Sequence, residues 1–276
     1  MSNKIFYDFE FLEGTQTKRF MGIPYGQTKP TIDIISVGMV SSDNREYYAV
    51  SKDFNLWEAW NRYQLEDDNS VGVRIGCLPP QKKVYWIREN VLKPIWADFE
   101  YSEYLSERSV LEERISKEAW VKNWASNFTK KRLKLLLNKY GKTKEQIAEE
   151  VVSFVYPNLY LMEKDRFKYE RKINDITGNE PPELYGYYSS FDHVALSWLF
   201  GKMIDLPKGF PMYTKDLKQM WDERISKMHK ECPVLSWEDW SAEISAHEGY
   251  PAKPTTHHAL LDAKWNMELH RFIQAL

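Results

Sequence analysis

The 276-residue sequence has only two cysteines, Cys77 and Cys232, and neither stands in a CxxC pair or a Cys/His cluster. That excludes a disulfide framework and a thiolate zinc site, and both read as reduced thiols. No run approaches the ~18 apolar residues of a membrane span. The first strand-like run begins by Lys4, leaving no room for a signal or transit peptide, so a cytoplasmic protein without membrane association is expected. Charge of one sign is not in excess either: 38 Lys plus Arg stand against 40 Asp plus Glu. A near-neutral chain is poorly suited to coat duplex nucleic acid, although a local basic groove remains open to it. Internal repeats and low-complexity segments are absent. What is present is a soluble globular composition, 43% hydrophobic and 28% charged, long enough for one large domain or two small ones.

Residues 4–11 alternate in type and are rich in aromatics, as a half-buried strand is. Residues 32–40 and 45–50 flank the polar turn 41–44 and predict a hairpin, giving with the first run a three-stranded antiparallel start. Helical patterns follow at 86–91, over a long amphipathic stretch at about 100–140, and at 143–155, which stops at Pro157. A second aromatic strand is expected at 183–188, then a helix from His193 to Phe200, a short strand at 212–214 and a helix over 216–228. A last helix runs to the C-terminus, with Thr256 or His257 as its N-cap. Strands that come first and then alternate with helices argue for an α/β fold with a mixed sheet.

The positive charge is concentrated in one place. From Arg114 to Lys144 stand ten basic residues against one acid, Glu118. Trp120, Trp124 and Phe128 recur at four-residue intervals, as on one helical face. Two readings are open: a solvated basic face behind an aromatic packing stripe, or an electrostatic guide for a nucleic-acid strand.

Asp8 and Glu10 are two apart on a predicted strand, so both carboxylates leave the same face. Two acids side by side on a sheet either face water or hold a metal, and hard oxygen ligands suit Mg2+ or Mn2+. The same tripeptide pattern at Asp98 and Glu100 lies in a helical stretch and reads as surface acids. Asp192 follows the 183–188 strand, where α/β folds present functional groups, though an N-cap would serve equally. Of six histidines, only His257 is followed by Asp five residues later, at Asp262, which lets both address one cleft from a helix entrance.

Taken in order, Asp8 and Glu10 in "FYDFEF", Asp192 in "SSFDHVAL", and His257 with Asp262 in "HHALLDA" resemble the DEDDh group of 3′-5′ exonucleases, which includes RNase T and oligoribonuclease. The sequence is most similar to a bacterial and phage RNase T-like, polyadenylate-specific-like branch, through "IDIISVGMV", "WIRENVLKPI" and "YTKDLKQMW" as well. The resemblance covers roughly residues 3–95, 143–156 and 183–275. It implies a single exonuclease domain over residues 1–276: an RNase H-like fold with a central five-stranded mixed β-sheet flanked by helices, and a helical insertion at about 97–182. It further implies that Asp8, Glu10, Asp192 and Asp262 bind two divalent ions, Mg2+ or Mn2+, about 3.5–4 Å apart. His257 would be the general base, and a nucleoside 5′-monophosphate would leave the 3′ end of single-stranded RNA or of a 3′ overhang. A homodimer is plausible on the same ground.

Phe11 and Leu12 stand where related enzymes wedge or stack the terminal base, against which plain core packing weighs equally. His193 could touch a phosphate or make a local hydrogen bond at a helix start. Tyr213, Asp216 and Trp221 belong to the shared wording without an assignable role, and Trp57, Trp60, Trp237 and Trp240 read as core or subunit-contact residues. The alternatives to an exoribonuclease are a DNA exonuclease of the same mechanism, a binding module built on the basic segment, and a protein-interaction domain.

Overall fold

Two eleven-residue strands, β1 (Lys4–Gly14) and β4 (Thr31–Ser41), are buried along most of their length, β4 from its second residue to its last. A strand that exposes neither edge of its pleat needs cover on both faces, which is the situation of a sheet between helices. The computed structural model describes residues 3–68, 80–107, 115–157, 181–232 and 234–276. With β5 (Glu46–Val50), β8 (Glu183–Gly186) and β9 (Lys215–Asp216), β1 and β4 form one five-stranded sheet in the order β5-β4-β1-β8-β9. The strand β5 pairs antiparallel with β4. Beyond β1, β8 and β9 run parallel to it. This is the expected mixed five-stranded sheet of an α/β fold, consistent with an RNase H-like nuclease. The hairpin turn is set by Asn44, whose φ of 64° lies in the left-handed region that Asn tolerates. The strand expected at 212–214 is displaced to Lys215–Asp216, where the ladder with Tyr185 and Gly186 begins.

The chain divides into two compact units, each described by itself. The first comprises Met1–Phe11, Ile34–Asp53 and Lys142–Leu276. Among the described residues its α-helices are α5 (Lys144–Val155), α6 (Ser190–Phe200), α7 (Leu217–Glu231), α8 (Trp237–Ser245) and α9 (Ala259–Ala275). A capping box between Thr143 and Gln146 starts α5 where the sequence pattern begins. The core joins Phe6, Val40 and Tyr185 of the sheet to Leu217 and Ile225 of α7 and Leu269 of α9. Each such side chain contributes roughly 1.5–3 kcal/mol on burial. Trp237 and Trp240 pack against this core. Cys232 is exposed and Cys77 lies outside the described residues. Among the described residues no helix is long and apolar enough to cross a membrane.

The second unit comprises Leu12–Asp33 and Phe54–Gly141. It holds two antiparallel ribbons, β2 (Thr17–Phe20) with β3 (Ile23–Gln27) and β6 (Gln64–Asp67) with β7 (Gln81–Val84). Among the described residues its α-helices are α1 (Leu56–Asn61), α2 (Lys93–Ser106), α3 (Lys117–Trp124) and α4 (Lys130–Tyr140). Trp57 is partly exposed with Arg19 stacked 3.4 Å from its ring centre, while Trp60 lies 4.9 Å from the Phe128 ring. The expected single helical face is cut short: α3 ends at Trp124, whose ring stacks 6.3 Å from that of the buried Trp120, and Phe128 lies beyond the helix, meeting the Trp96 ring that Trp120 also contacts.

The same unit corrects the reading of Asp98 and Glu100 as surface acids. Glu100 is only 7% exposed and takes both nitrogens of a forked Arg132, which also reaches Glu103 at 2.5 Å. Asp98 pairs with Lys117, and Glu103 accepts from Lys139 at 2.6 Å. Part of the basic segment is therefore consumed by the acids of α2, while Lys122, Lys131 and Lys134 are exposed. Arg114 and residues 158–180 of the expected insertion lie outside the described residues.

Gly38 of β4 sets the position of α9. A Cβ built there would lie 2.2 Å from the backbone of Ala259 and Leu260, so the helix entrance touches the strand only because no side chain intervenes. Gly38→Ala is expected to cost about 1–3 kcal/mol by overpacking. A calorimetric Tm lowered by roughly 2–10 °C checks it. Arg132→Ala, which strands the buried Glu100 carboxylate, is expected to cost about 3 kcal/mol in denaturant titration. Lys131→Ala, on the exposed face, should stay within about 0.5 kcal/mol.

Candidate active site

The ladder between β1 and β8 covers residues 4–6 of β1 and ends at Phe6 opposite Tyr185. The Asn3 C=O faces β8, where it accepts the Glu183 N–H. By the two-residue period of a strand, the Tyr7 C=O and Phe9 N–H face the same way, past the end of the ladder. Two side chains satisfy them. Asn266 of α9 donates to the Tyr7 C=O at 3.1 Å, and Asp192 of α6 accepts the Phe9 N–H at 3.0 Å. The backbone on either side of Asp8 is thus fixed by the two helices that carry Asp192 and Asp262. Asn266 was not singled out in the sequence, although its spacing of four from Asp262 places both on one helical face.

Asp8, Glu10 and Asp262 converge, each with a carboxylate oxygen within 4.8 Å of the others. Asp192 stands outside this tight triad, with one oxygen committed to Phe9, yet its charge acts on Asp8 and Glu10. Glu10, Asp192 and Asp262 are buried. Burial first, and then the negative charge of Asp192, Glu10 and Asp262, holds the Asp8 carboxyl well above the usual range. Burial, followed by Asp262 and Asp192, pushes Glu10 up to about 8. Asp192 is pushed up to about 7 by burial, against the opposing Phe9 hydrogen bond. Asp262 is raised by burial, while the His258 N–H draws it back. Converging acids that resist ionisation are a strong acceptor for hard cations, and the donor set of carboxylate oxygens alone fits Mg2+ or Mn2+.

Local structure explains each position. Gly186 allows the tight turn after β8, since a Cβ there would lie 2.8 Å from that of Ser189. The Ser189 N–H donates to Asp216 at 2.8 Å, and the other oxygen of Asp216 caps α7 through the Lys218 N–H. Asp216 is therefore a structural clamp beneath the turn. Helix α6 begins at Ser190, earlier than the expected His193, so Asp192 sits in its first turn and Ser189 occupies the N-cap position. At the other helix, the N-cap is His258, rather than Thr256 or His257. Its N–H is held by Asp262 at 3.1 Å and its ring stacks on Tyr48 with centres 4.4 Å apart. That fixes the helix entrance and leaves His257 one residue outside, 46% exposed by side chain, with Nδ1 3.9 Å from a Glu10 oxygen.

The remaining candidates separate. Phe11 is half-buried and its ring lies 6.2 Å from that of Phe191, an exposed aromatic next to Asp192 that sequence spacing did not mark. Leu12 is wholly buried. The His193 Nδ1 lies 3.0 Å from the Thr214 hydroxyl, which also bonds the buried Tyr7 hydroxyl, and burial lowers the His193 pKa. Trp221 is a core residue with its indole N–H on Ser241, and Tyr213 is exposed.

No family model matches the chain. Two proteins of Mycobacterium tuberculosis, from strains CDC 1551 and H37Rv and each called a 3′-5′ exoribonuclease, are similar to it. Each is 22% identical over 271 residues, which cover 98% of this chain and 92% of the relative.

The raised carboxyls set a pH dependence. They bind protons more tightly folded than unfolded, so their stabilising contribution is full below about pH 4 and is lost as pH rises through about 7 and 8, the values of Asp192 and Glu10. Metal-free protein should therefore show a Tm that declines from pH 6 to pH 8.5 in scanning calorimetry. Glu10→Gln should flatten that decline and raise the Tm at pH 8.

Proposed function

We propose that this protein is a metal-dependent 3′-5′ exoribonuclease. The observation that carries the reading is the convergence of Asp8, Glu10 and Asp262, flanked by Asp192 and His257, on buried ground where their charges repel. The names of the two full-length relatives support the same activity and an RNA substrate. In this reading Asp8, Glu10, Asp192 and Asp262 would hold two divalent ions, Mg2+ or Mn2+, whose positive charge would stabilise the anionic oxygens of the displacement. Asn266 and Asp192 keep the β1 backbone rigid so that the carboxylates do not reorganise when charge develops. His257, exposed just outside the helix entrance, takes the proton from water as its oxygen attacks the last phosphodiester. The bond from phosphorus to the 3′-oxygen breaks, that oxygen acquires a proton, and the products are a nucleoside 5′-monophosphate and an RNA shortened by one residue. Phe11 and Phe191 form an aromatic shelf next to the carboxylates on which a terminal base would stack.

A time course on 5′-labelled single-stranded RNA with Mg2+ or Mn2+, beside matched DNA, tests this. The expected result is a ladder shortening from the 3′ end on RNA, abolished by Asp8→Ala and reduced on the order of 10²–10⁴-fold by His257→Ala, with both variants folded. Undiminished cleavage by Asp8→Ala contradicts the reading, and preferential cleavage of the DNA would reassign the substrate.

A further inference from the structure

The segment leading into α9 carries a lysine, Lys253, that is anchored on aromatic rings of the same helix and of the residue after β8. The Pro251 C=O accepts the indole N–H of Trp265 at 3.0 Å, which pins the segment to the helix. Trp265 follows Asp262 by three residues, so the two share a helical face. The Lys253 ammonium rests over the Trp265 and Tyr187 rings, 5.3 and 5.5 Å from their centres. Tyr187 comes directly after β8, whose ladder with β1 stops short of Asp8. Among the described residues Lys253 joins no ion pair, yet its charge acts on both Asp8 and Asp262, opposing the rise of their pKa values. A cation held on aromatic faces still has N–H donors to offer an incoming acceptor.

We propose that Lys253 is a substrate-binding residue whose ammonium grips a non-bridging oxygen of the phosphate brought to the Asp8, Glu10 and Asp262 cluster. This rests on the exoribonuclease reading. The amine makes and breaks no covalent bond; it neutralises charge on the phosphate and orients it for in-line attack. Because the grip is on the terminal phosphodiester, it serves a dinucleotide as well as a long strand.

The test compares wild type, Lys253→Gln and Lys253→Arg. On RNA dinucleotides and 20-mers alike, Lys253→Gln is expected to lower kcat/KM by roughly 10–100-fold, the value of one charge-assisted hydrogen bond, with partial recovery in Lys253→Arg. Mn2+ binding, followed by thermal shift, is expected to be unchanged or tighter in Lys253→Gln, because a positive charge beside the carboxylates has been removed. Unchanged kcat/KM overturns the proposal. So does a loss accompanied by weaker Mn2+ binding and a lower Tm, which would make Lys253 a support for the Pro251–Trp265 contact. If the wild type releases no nucleotide, the exoribonuclease reading itself fails. Calorimetric titration with adenosine 5′-monophosphate in Ca2+ then decides the lysine separately: binding at least fivefold weaker in Lys253→Gln upholds the phosphate grip, and equal binding overturns it.

Discussion

Repulsion among buried carboxylates is the constraint around which the first unit is organised. Asp8, Glu10 and Asp262 lie close enough to share one ion, and burial deprives them of the water that would screen their charges. A fold left to minimise its own energy would separate them or replace them. Keeping them together requires rigid neighbours, and these are visible: Gly38 lets α9 meet β4 without a gap, Asn266 and Asp192 tie β1 beyond the end of its ladder, and Asp216 clamps the turn that aims α6. Each spends polar or steric specificity on positioning the acids.

The electrostatics and the proposed chemistry are two views of that arrangement. Carboxyls that hold protons near neutral pH exchange them for cations when cations are present, and cations are what an in-line displacement at a phosphodiester needs. The exposed members, His257 and Lys253, lie at the rim, where a proton and a phosphate can be handled without burying another charge. The aromatic rings of Tyr187 and Trp265 do for Lys253 what an acid would otherwise do, holding it in place while leaving its charge unspent.

Much of this was legible in the sequence because it follows from short periods. The two-residue period of residues 4–11 puts Asp8 and Glu10 on one face, and the turn at 41–44 dictates the hairpin of β4 and β5. The partners that fix the acids were not legible, because they are long-range. Nothing local marks Asn266 as the donor to Tyr7 across 259 residues, or Asp216 as the clamp under Ser189. The basic segment hid its partners for a related reason: charge along the chain does not reveal that Arg132 and Lys139 pair with the acids of α2. Trp120, Trp124 and Phe128 kept helical spacing through a point where the helix ends at Trp124.

The most direct measurement is a calorimetric titration of Mn2+ into the metal-free protein at pH 7, repeated in two buffers of different ionisation enthalpy. Binding that displaces protons from Glu10 and Asp192 gives a heat that depends on the buffer, and that dependence should shrink in Glu10→Gln. Absence of binding at millimolar Mn2+, or binding whose heat is the same in both buffers, would contradict a cation site built on carboxyls held near their neutral forms.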